Sequence, residues 1–366
     1  MDDWTRQGLR RTPAPPAGID LCSNDYLGLA QHPRIVEAMS QAVKSLGAGS
    51  TGSRLLRGQH EVFTQAERKF ALWKGTEASL YFSSGYLANA AALTTFAEDG
   101  DVLFCDERNH ASLIDGARLS RARRVVFPHN DVEALAKLVR AEKGEGQMFI
   151  VTESLFSMDG DEAPLEAYAG LCAETGAALI VDEAHAVGIY GARGSGFIEQ
   201  KGLEPYVFIS INTAGKALGV SGAFICGTQE AIEYLVQRAR TFVFSTAAPP
   251  ATAAAILASL EVIAAEPERR QRLFANVSAL RELLGVVGQS QIIPVVVGSN
   301  ENALQAAQQL QAEGFDVRAI RPPTVPAGTA RLRISVNQGL TQQEIRRFAA
   351  AVNRACAEMF LPLESS

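Results

Sequence analysis

The chain has little that would tie it to a disulfide framework, a membrane or a nucleic acid. Among its 366 residues are only five cysteines, at positions 22, 105, 172, 226 and 356. They show neither close pairing nor metal-ligand spacing, so no disulfide scaffold and no metal site is expected. Four sit in apolar or alanine-rich stretches and read as small core hydrophobes, while Cys22 falls in a polar loop. This usage fits a reducing cytosol. The N-terminus begins with acids and has no apolar run, so no signal peptide is expected and the protein reads as cytoplasmic. The longest uncharged stretch, Thr241–Leu260, contains Pro249 and Pro250 and many small or hydroxyl residues. A membrane span needs about 20 strongly apolar residues, so this stretch reads as a loop followed by an alanine-rich buried helix. A basic patch is also missing: formal net charge is -6, and the cluster Arg121, Arg123, Arg124 reads as a solvated helix end before a strand. Nucleic-acid binding and membrane insertion are therefore not expected.

What is present is an ordinary globular balance, 47% apolar and 20% charged, in a chain long enough for more than one domain. Short β-branched runs alternate with helical patterns. Strands are expected at Ser79–Phe82, Val102–Cys105, Arg124–Phe127, Met148–Thr152, Ala178–Val181, Val207–Ile211 and Ala223–Cys226, with helices such as Val132–Arg140 and Leu165–Glu174 between them. That alternation predicts an α/β domain with a large, mostly parallel seven-stranded sheet. Only Asn212–Gly222 joins the last two strands, too few residues for a helical crossover, so the last strand is expected to run antiparallel. After about residue 264 the texture changes. Helices at Arg269–Leu284, Asn302–Glu313 and Gln342–Met359 alternate with strands at Ile292–Val297, Val317–Ile320 and Arg331–Ser335. The expected domains are an N-terminal segment 1–30, a large domain 31–264 and a smaller α+β domain 265–366.

Polar residues recur where the strands should end, and in open α/β sheets ligands bind beyond the carboxyl ends of strands. The strand Ala178–Val181 delivers Asp182, with His185 three residues on. Asp182 reads either as a helix cap or as an anion for a protonated ring nitrogen. Lys216 sits among Ala214, Gly215, Ala217 and Leu218 just after another strand. It is either a snorkelling surface lysine or an amine whose charged form is disfavoured by desolvation, ready to form a Schiff base. Thr213 stands three residues earlier. Ser83-Ser84-Gly85-Tyr86 runs from a strand into a helix, an ordinary cap or a phosphate cradle of free backbone N–H groups. His110, in Asn109-His110-Ala111-Ser112, is either a capping or core histidine or a ring lying on an aromatic cofactor. Glu153–Gly160 forms a fifth polar loop. Together these loops supply an anion, an imine-forming lysine, a phosphate cradle, a stacking ring and spare donors, the inventory that pyridoxal 5'-phosphate requires.

The residues resemble the α-oxoamine synthases, fold-type I pyridoxal-phosphate transferases, from about Asp20 to Ser335. The marks are Ser23-Asn24-Asp25-Tyr26-Leu27-Gly28-Leu29, Phe156-Ser157-Met158-Asp159-Gly160-Asp161, Asp182-Glu183-Ala184-His185 and Gly219-Val220-Ser221-Gly222-Ala223. The run Arg321-Pro322-Pro323-Thr324-Val325-Pro326 resembles the branch of the family that condenses L-alanine with pimeloyl-CoA or pimeloyl-acyl-carrier protein. Sister ligases that use glycine and a short acyl-CoA usually carry Tyr-Pro-Val or Tyr-Pro-Thr there. The resemblance implies that Lys216 forms the imine, Asp182 pairs with the ring nitrogen, and His110 stacks on the ring. It places His185 and Ser157 at the ring hydroxyl and Gly85, Tyr86 and Thr213 at the phosphate. It further implies a homodimer in which Thr246 reaches the phosphate of a neighbouring subunit. Asn24 and Arg333 would bind the amino-acid carboxylate, Thr324 would line the substrate pocket, and Arg10 would approach the acyl substrate. Phe63 stands where many relatives have histidine. The alternatives are the glycine-using ligase and a non-catalytic subunit, although the latter would be expected to lack Lys216.

Overall fold

The computed structural model describes Trp4 and residues 6–357. They form two compact units. The smaller holds the N-terminal segment through Leu27, the short piece Ser157–Asp161 and the chain from Glu268 onward; the larger holds Gly28–Phe156 and Glu162–Pro267.

After β1 (Ile19–Asp20) in the smaller unit, seven strands follow in the larger one: β2 (Ala78–Phe82), β3 (Val102–Asp106), β4 (Arg123–Phe127), β5 (Met148–Glu153), β6 (Ala178–Asp182), β7 (Ile209–Thr213) and β8 (Ala223–Gly227). They make one sheet in the order β2-β8-β7-β6-β5-β3-β4. Neighbours from β4 to β7 pair in parallel, while β8 runs antiparallel to both β2 and β7. The expected α/β class and the expected reversal at the last strand are both seen. The reversal follows from the short connection between β7 and β8.

Every residue of β3 is buried, as befits a strand covered on both faces. Leu103, Cys105, Val151, Ile180, Ile211 and Ile225 join Ala88, Ala92 and Leu93 of the helix Gly85–Phe96 in one apolar cluster. Side chains alternate across a strand, so Phe224 faces the other way. There it stacks on Phe70 of the helix Glu61–Lys74, ring centroids 4.0 Å apart. The edge strand β4 exposes Arg123 and Arg124, charges that discourage pairing with another chain.

The sixth expected strand is displaced. It occupies Ile209–Thr213 rather than Val207–Ile211, because a 3₁₀ turn at Glu204–Tyr206, built around Pro205, takes up the chain before Val207. Its far end continues through Asn212 and Thr213, polar yet buried and paired with Phe224 and Ala223. Apolar patterning does not detect such an end. The alanine-rich helix is present at Pro250–Ala265 and mostly buried. Among the described residues no single helix is long and apolar enough to cross a membrane.

The smaller unit is α+β, with β9 (Ile292–Gly298), β10 (Phe315–Asp316), β11 (Ala319–Ile320) and β12 (Ala330–Ser335). β12 lies antiparallel between β11 and β9, and β1 pairs in parallel with β10. Of the strand expected at Val317–Ile320 only Ala319–Ile320 forms, pairing with β12, while the separate two-residue strand Phe315–Asp316 just before it pairs with β1. Helices run over Glu268–Leu284, Asn300–Ala312 and Gln342–Ala357. The last was expected to end at Met359, which lies outside the described residues.

Candidate active site

In the larger unit, β6 ends on Asp182, whose carboxylate is buried. Asn89 Nδ2 donates to Oδ2 at 2.7 Å and the Ala184 N–H donates to Oδ1 at 2.8 Å. Both donors are neutral, and among the described residues no cation is bonded to this carboxylate. Desolvating a carboxylate costs several kcal/mol unless a cation compensates, so a protonated ring nitrogen fits this position.

Lys216 follows β7 in a closed turn. Ala214 N donates to Gly222 O at 2.8 Å, Gly219 N to Lys216 O at 2.8 Å, and Val220 N to Ala214 O at 2.9 Å. The turn requires glycine twice. Gly219 has φ +69°, and a Cβ there would meet Ala30 N at 2.4 Å. Gly222 has φ +91°, and a Cβ would lie 2.2 Å from the Tyr81 hydroxyl. The Lys216 amine that results is 2.7 Å from Nε2 of the buried His185.

The helix Gly85–Phe96 starts where Ser84 Oγ accepts from Leu87 N. The N–H groups of Gly85 and Tyr86 find no acceptor among the described residues. A Cβ on Gly85 would come 3.7 Å from Thr213 Oγ1, so this amide corner faces the threonine hydroxyl. Free amides at a helix N-terminus beside a hydroxyl fit a phosphate. The Tyr86 side chain turns away and donates its hydroxyl to Asp115.

His110 caps the helix Ala111–Leu119, and its backbone N–H donates to Glu153 Oε1 at 2.6 Å. Glu153 lies opposite Asp182 in the β5–β6 register. Burial, and then the neighbouring Asp182 charge, holds the Glu153 carboxyl well above the ordinary carboxylate range. Burial of the inner side of the imidazole lowers the His110 pKa; Asp182 pulls it up and Lys216 adds to the lowering. Lys216 and Asp182 therefore act on the same two groups. An uncompensated anion, an amine, a phosphate corner and an aromatic ring are what pyridoxal phosphate needs, and the residues present fit it.

Thr246 is exposed and lines a cleft with Ser83, Arg54 and Phe63. The remaining expected residues lie in the smaller unit. There Arg333 is buried; Nε donates to Ser157 O at 2.5 Å, Nη1 to Ser335 Oγ at 2.7 Å, and Nη2 to Asn24 Oδ1 at 3.1 Å and Tyr26 Oη at 3.3 Å. Thr324 Oγ1 accepts from Arg11 Nη2 at 3.0 Å. Arg10 is exposed, and its side chain meets none of these groups. Sequence reasoning did not single out Asn89, Ser112, Arg11 or the buried Lys74–Glu183 pair. Their partners are remote in sequence, and a lone Asn or Lys in a helical pattern carries no signal of its own.

Residues 16–352 match the aminotransferase class I and II family, and the chain belongs to it. Within that class it is similar to 8-amino-7-oxononanoate synthases. The 8-amino-7-oxononanoate synthase of Geobacter sulfurreducens is 44% identical over 361 residues, covering 96% of this chain and 92% of its own length. That of Anaeromyxobacter dehalogenans is 46% identical over 340 residues, covering 91% and 85%. Among solved structures, Sphingomonas wittichii serine palmitoyltransferase superposes with a TM-score of 0.90 at 32% identity, covering 93% of this chain and 88% of that one. The 8-amino-7-oxononanoate synthase of Francisella tularensis gives 0.81 at 29%, covering 94% and 99%.

Proposed function

We propose that the protein condenses L-alanine with a pimeloyl thioester to give 8-amino-7-oxononanoate, carbon dioxide and free thiol, a step of biotin biosynthesis. The cofactor is pyridoxal 5'-phosphate. When bound it supplies an aldehyde for amines and a protonated ring that draws electrons from the adjoining carbon. The observation that carries the reading is the pair of chemistries beyond neighbouring strand ends: a buried Asp182 carboxylate met only by neutral donors, and the Lys216 amine. Asp182 keeps the ring nitrogen protonated. Lys216 would hold the cofactor aldehyde and would serve as the base for the alanine Cα proton, with His185 holding the lysine in position. Gly85, Tyr86 and Thr213 take the phosphate, joined by Thr246 of a second subunit; His110 covers the ring, and Ser157 and His185 address its hydroxyl. Arg333 with Asn24 takes the alanine carboxylate, Thr324 lines the substrate pocket, and an arginine of the N-terminal segment, Arg10 or Arg11, meets the acyl chain.

Serine palmitoyltransferases are the better structural match, which favours a second reading with serine as the amino acid. The sequence decides against it: 44–46% identity to the synthases exceeds the 32% to that transferase. The run Arg321–Pro326 supports the same choice. We also propose a cytoplasmic homodimer. Val36, Met39, Val43 and Leu46 are exposed on one face of the helix Pro33–Leu46, an apolar stripe that supports a second copy as partner.

The test is a panel of alanine, glycine and serine against pimeloyl, acetyl and palmitoyl thioesters, reading product and carbon dioxide, with visible spectra before and after L-alanine. Turnover is expected for alanine with pimeloyl thioester and none for Lys216→Ala. Turnover with glycine or serine but not alanine would overturn the substrate assignment, and normal turnover by Lys216→Ala would overturn the role of that lysine.

A further inference from the structure

The carboxylate proposed to face the ring nitrogen and the histidine proposed to cover the ring are joined through two residues that have no role so far. Asn89 is buried on the helix Gly85–Phe96. Its Nδ2 donates to Asp182 Oδ2 at 2.7 Å and to Ser112 Oγ at 2.8 Å. Ser112, also buried, places the same oxygen 2.7 Å from His110 Nδ1. The direction of each bond follows from donor counting. A carboxylate only accepts, so the amide must turn its NH₂ toward Asp182. The second amide hydrogen then goes to Ser112 Oγ. The buried Ser112 hydroxyl has one hydrogen to place, and the acceptor within reach is His110 Nδ1. The Ser112 backbone N–H points at the same nitrogen, at 3.3 Å. Two donors converge on Nδ1, so it cannot carry a proton itself, and the ring proton sits on Nε2.

We propose that Asn89 and Ser112 are positioning residues that tie His110 to Asp182 and lock the His110 imidazole as the neutral Nε2–H tautomer. Nε2–H finds no acceptor among the described residues and is left to donate to a substrate oxygen. A ring free to protonate would answer to the charges around it, Asp182 from β6 and Lys216 beyond β7, with the titratable Glu153 of β5 on its backbone N–H. The relay holds Nδ1 against that. The catalytic consequence rests on the proposed function, but the tautomer does not, so either can fail without the other.

The experiment is nitrogen NMR of the full-length, ¹⁵N-histidine-labelled protein, with and without pyridoxal phosphate. Its five histidines are assigned by single substitution. In the wild type His110 should show an unprotonated Nδ1 and a protonated Nε2, unchanged across the neutral pH range. Ser112→Ala should lower the Nε2–H preference by roughly threefold to tenfold, the worth of one neutral hydrogen bond. Ser112→Thr, which keeps the hydroxyl, should restore it, and Asn89→Ala should shift it in the same direction as Ser112→Ala. Protonated Nδ1 in the wild type would overturn the proposal whether or not any variant folds. So would a Ser112→Ala spectrum identical to the wild type, and a silent Asn89→Ala would remove Asn89 from the relay.

Discussion

Lys74→Met should destabilise the larger unit more than any surface change, and the size of the effect follows from what the lysine leaves behind. Lys74 Nζ lies 2.5 Å from Glu183 Oε2 and 2.5 Å from Ser195 O, with both side chains essentially inaccessible. Glu183 Oε1 accepts from Phe197 N at 2.7 Å and Ile198 N at 3.1 Å. Methionine keeps the bulk of the lysine but removes the cation, so Glu183 is left charged in a dry site with two amide donors. Breaking one side of a buried pair costs about 3–5 kcal/mol. At about 1.4 kcal/mol per decade, that is a drop of roughly a hundredfold to a few thousandfold in the folding equilibrium. The measurement is urea unfolding of wild type, Lys74→Met and Lys74→Met/Glu183→Gln. The double variant should recover a large part of the loss, because a neutral amide no longer needs the cation. A single-variant loss below about 1 kcal/mol, the worth of an exposed pair, would show that the site is wet and the reasoning wrong. So would a double variant no better than the single one. Glu183 directly follows Asp182, so cofactor affinity should fall in the single variant as well.

Gly222→Ala places a Cβ 2.2 Å from the Tyr81 hydroxyl at φ +91°, so the turn carrying Lys216 must shift. The expected result is weakened cofactor binding, measured by visible absorbance under titration with pyridoxal phosphate; binding equal to wild type would refute it. Glu153→Gln tests the buried carboxyl opposite Asp182. Its folded-state pKa is raised, mainly by burial. Glu153 therefore contributes most to stability below the ordinary carboxyl pKa, and that contribution is lost as pH rises toward the raised value. The glutamine side chain cannot ionise, so thermal melts of the cofactor-free protein should find the variant close to wild type in mild acid and relatively more stable as pH rises. Parallel pH curves for the two proteins would contradict this.

The sheet was legible because its signal is local. Strands such as Ala178–Val181 are continuous apolar runs, and the short link Asn212–Gly222 by itself predicts the reversal at β8. What stayed hidden was set by partners distant in sequence. The polar end of β7 is buried because Asn212 and Thr213 pair with Phe224 and Ala223, and the short strand β10, ahead of the expected one, forms against β1 from the far end of the chain. At the N-terminus Arg11 meets Thr324, a contact between positions 313 residues apart that spacing in a loop does not reveal.

The sequence Asp182-Glu183-Ala184-His185 shows how much of a site a motif can carry. Read as letters it offers two carboxylates and an imidazole for chemistry. In three dimensions the two carboxylates part, each to its own partners. Asp182 takes the amide of Asn89, Glu183 takes Lys74 and the amides of Phe197 and Ile198, and His185 takes the Lys216 amine. The divergence has a simple cause, since successive side chains at a strand end point to opposite faces. Asp182 and Glu183 therefore cannot share a ligand, and one of them must belong to the core. Which one is decided by charge: the partner of Glu183 is already in the protein, whereas the described residues leave Asp182 with neutral donors alone. On this argument an unpaired buried anion beside a buried, compensated one is a stronger pointer to a cationic ligand than the motif itself.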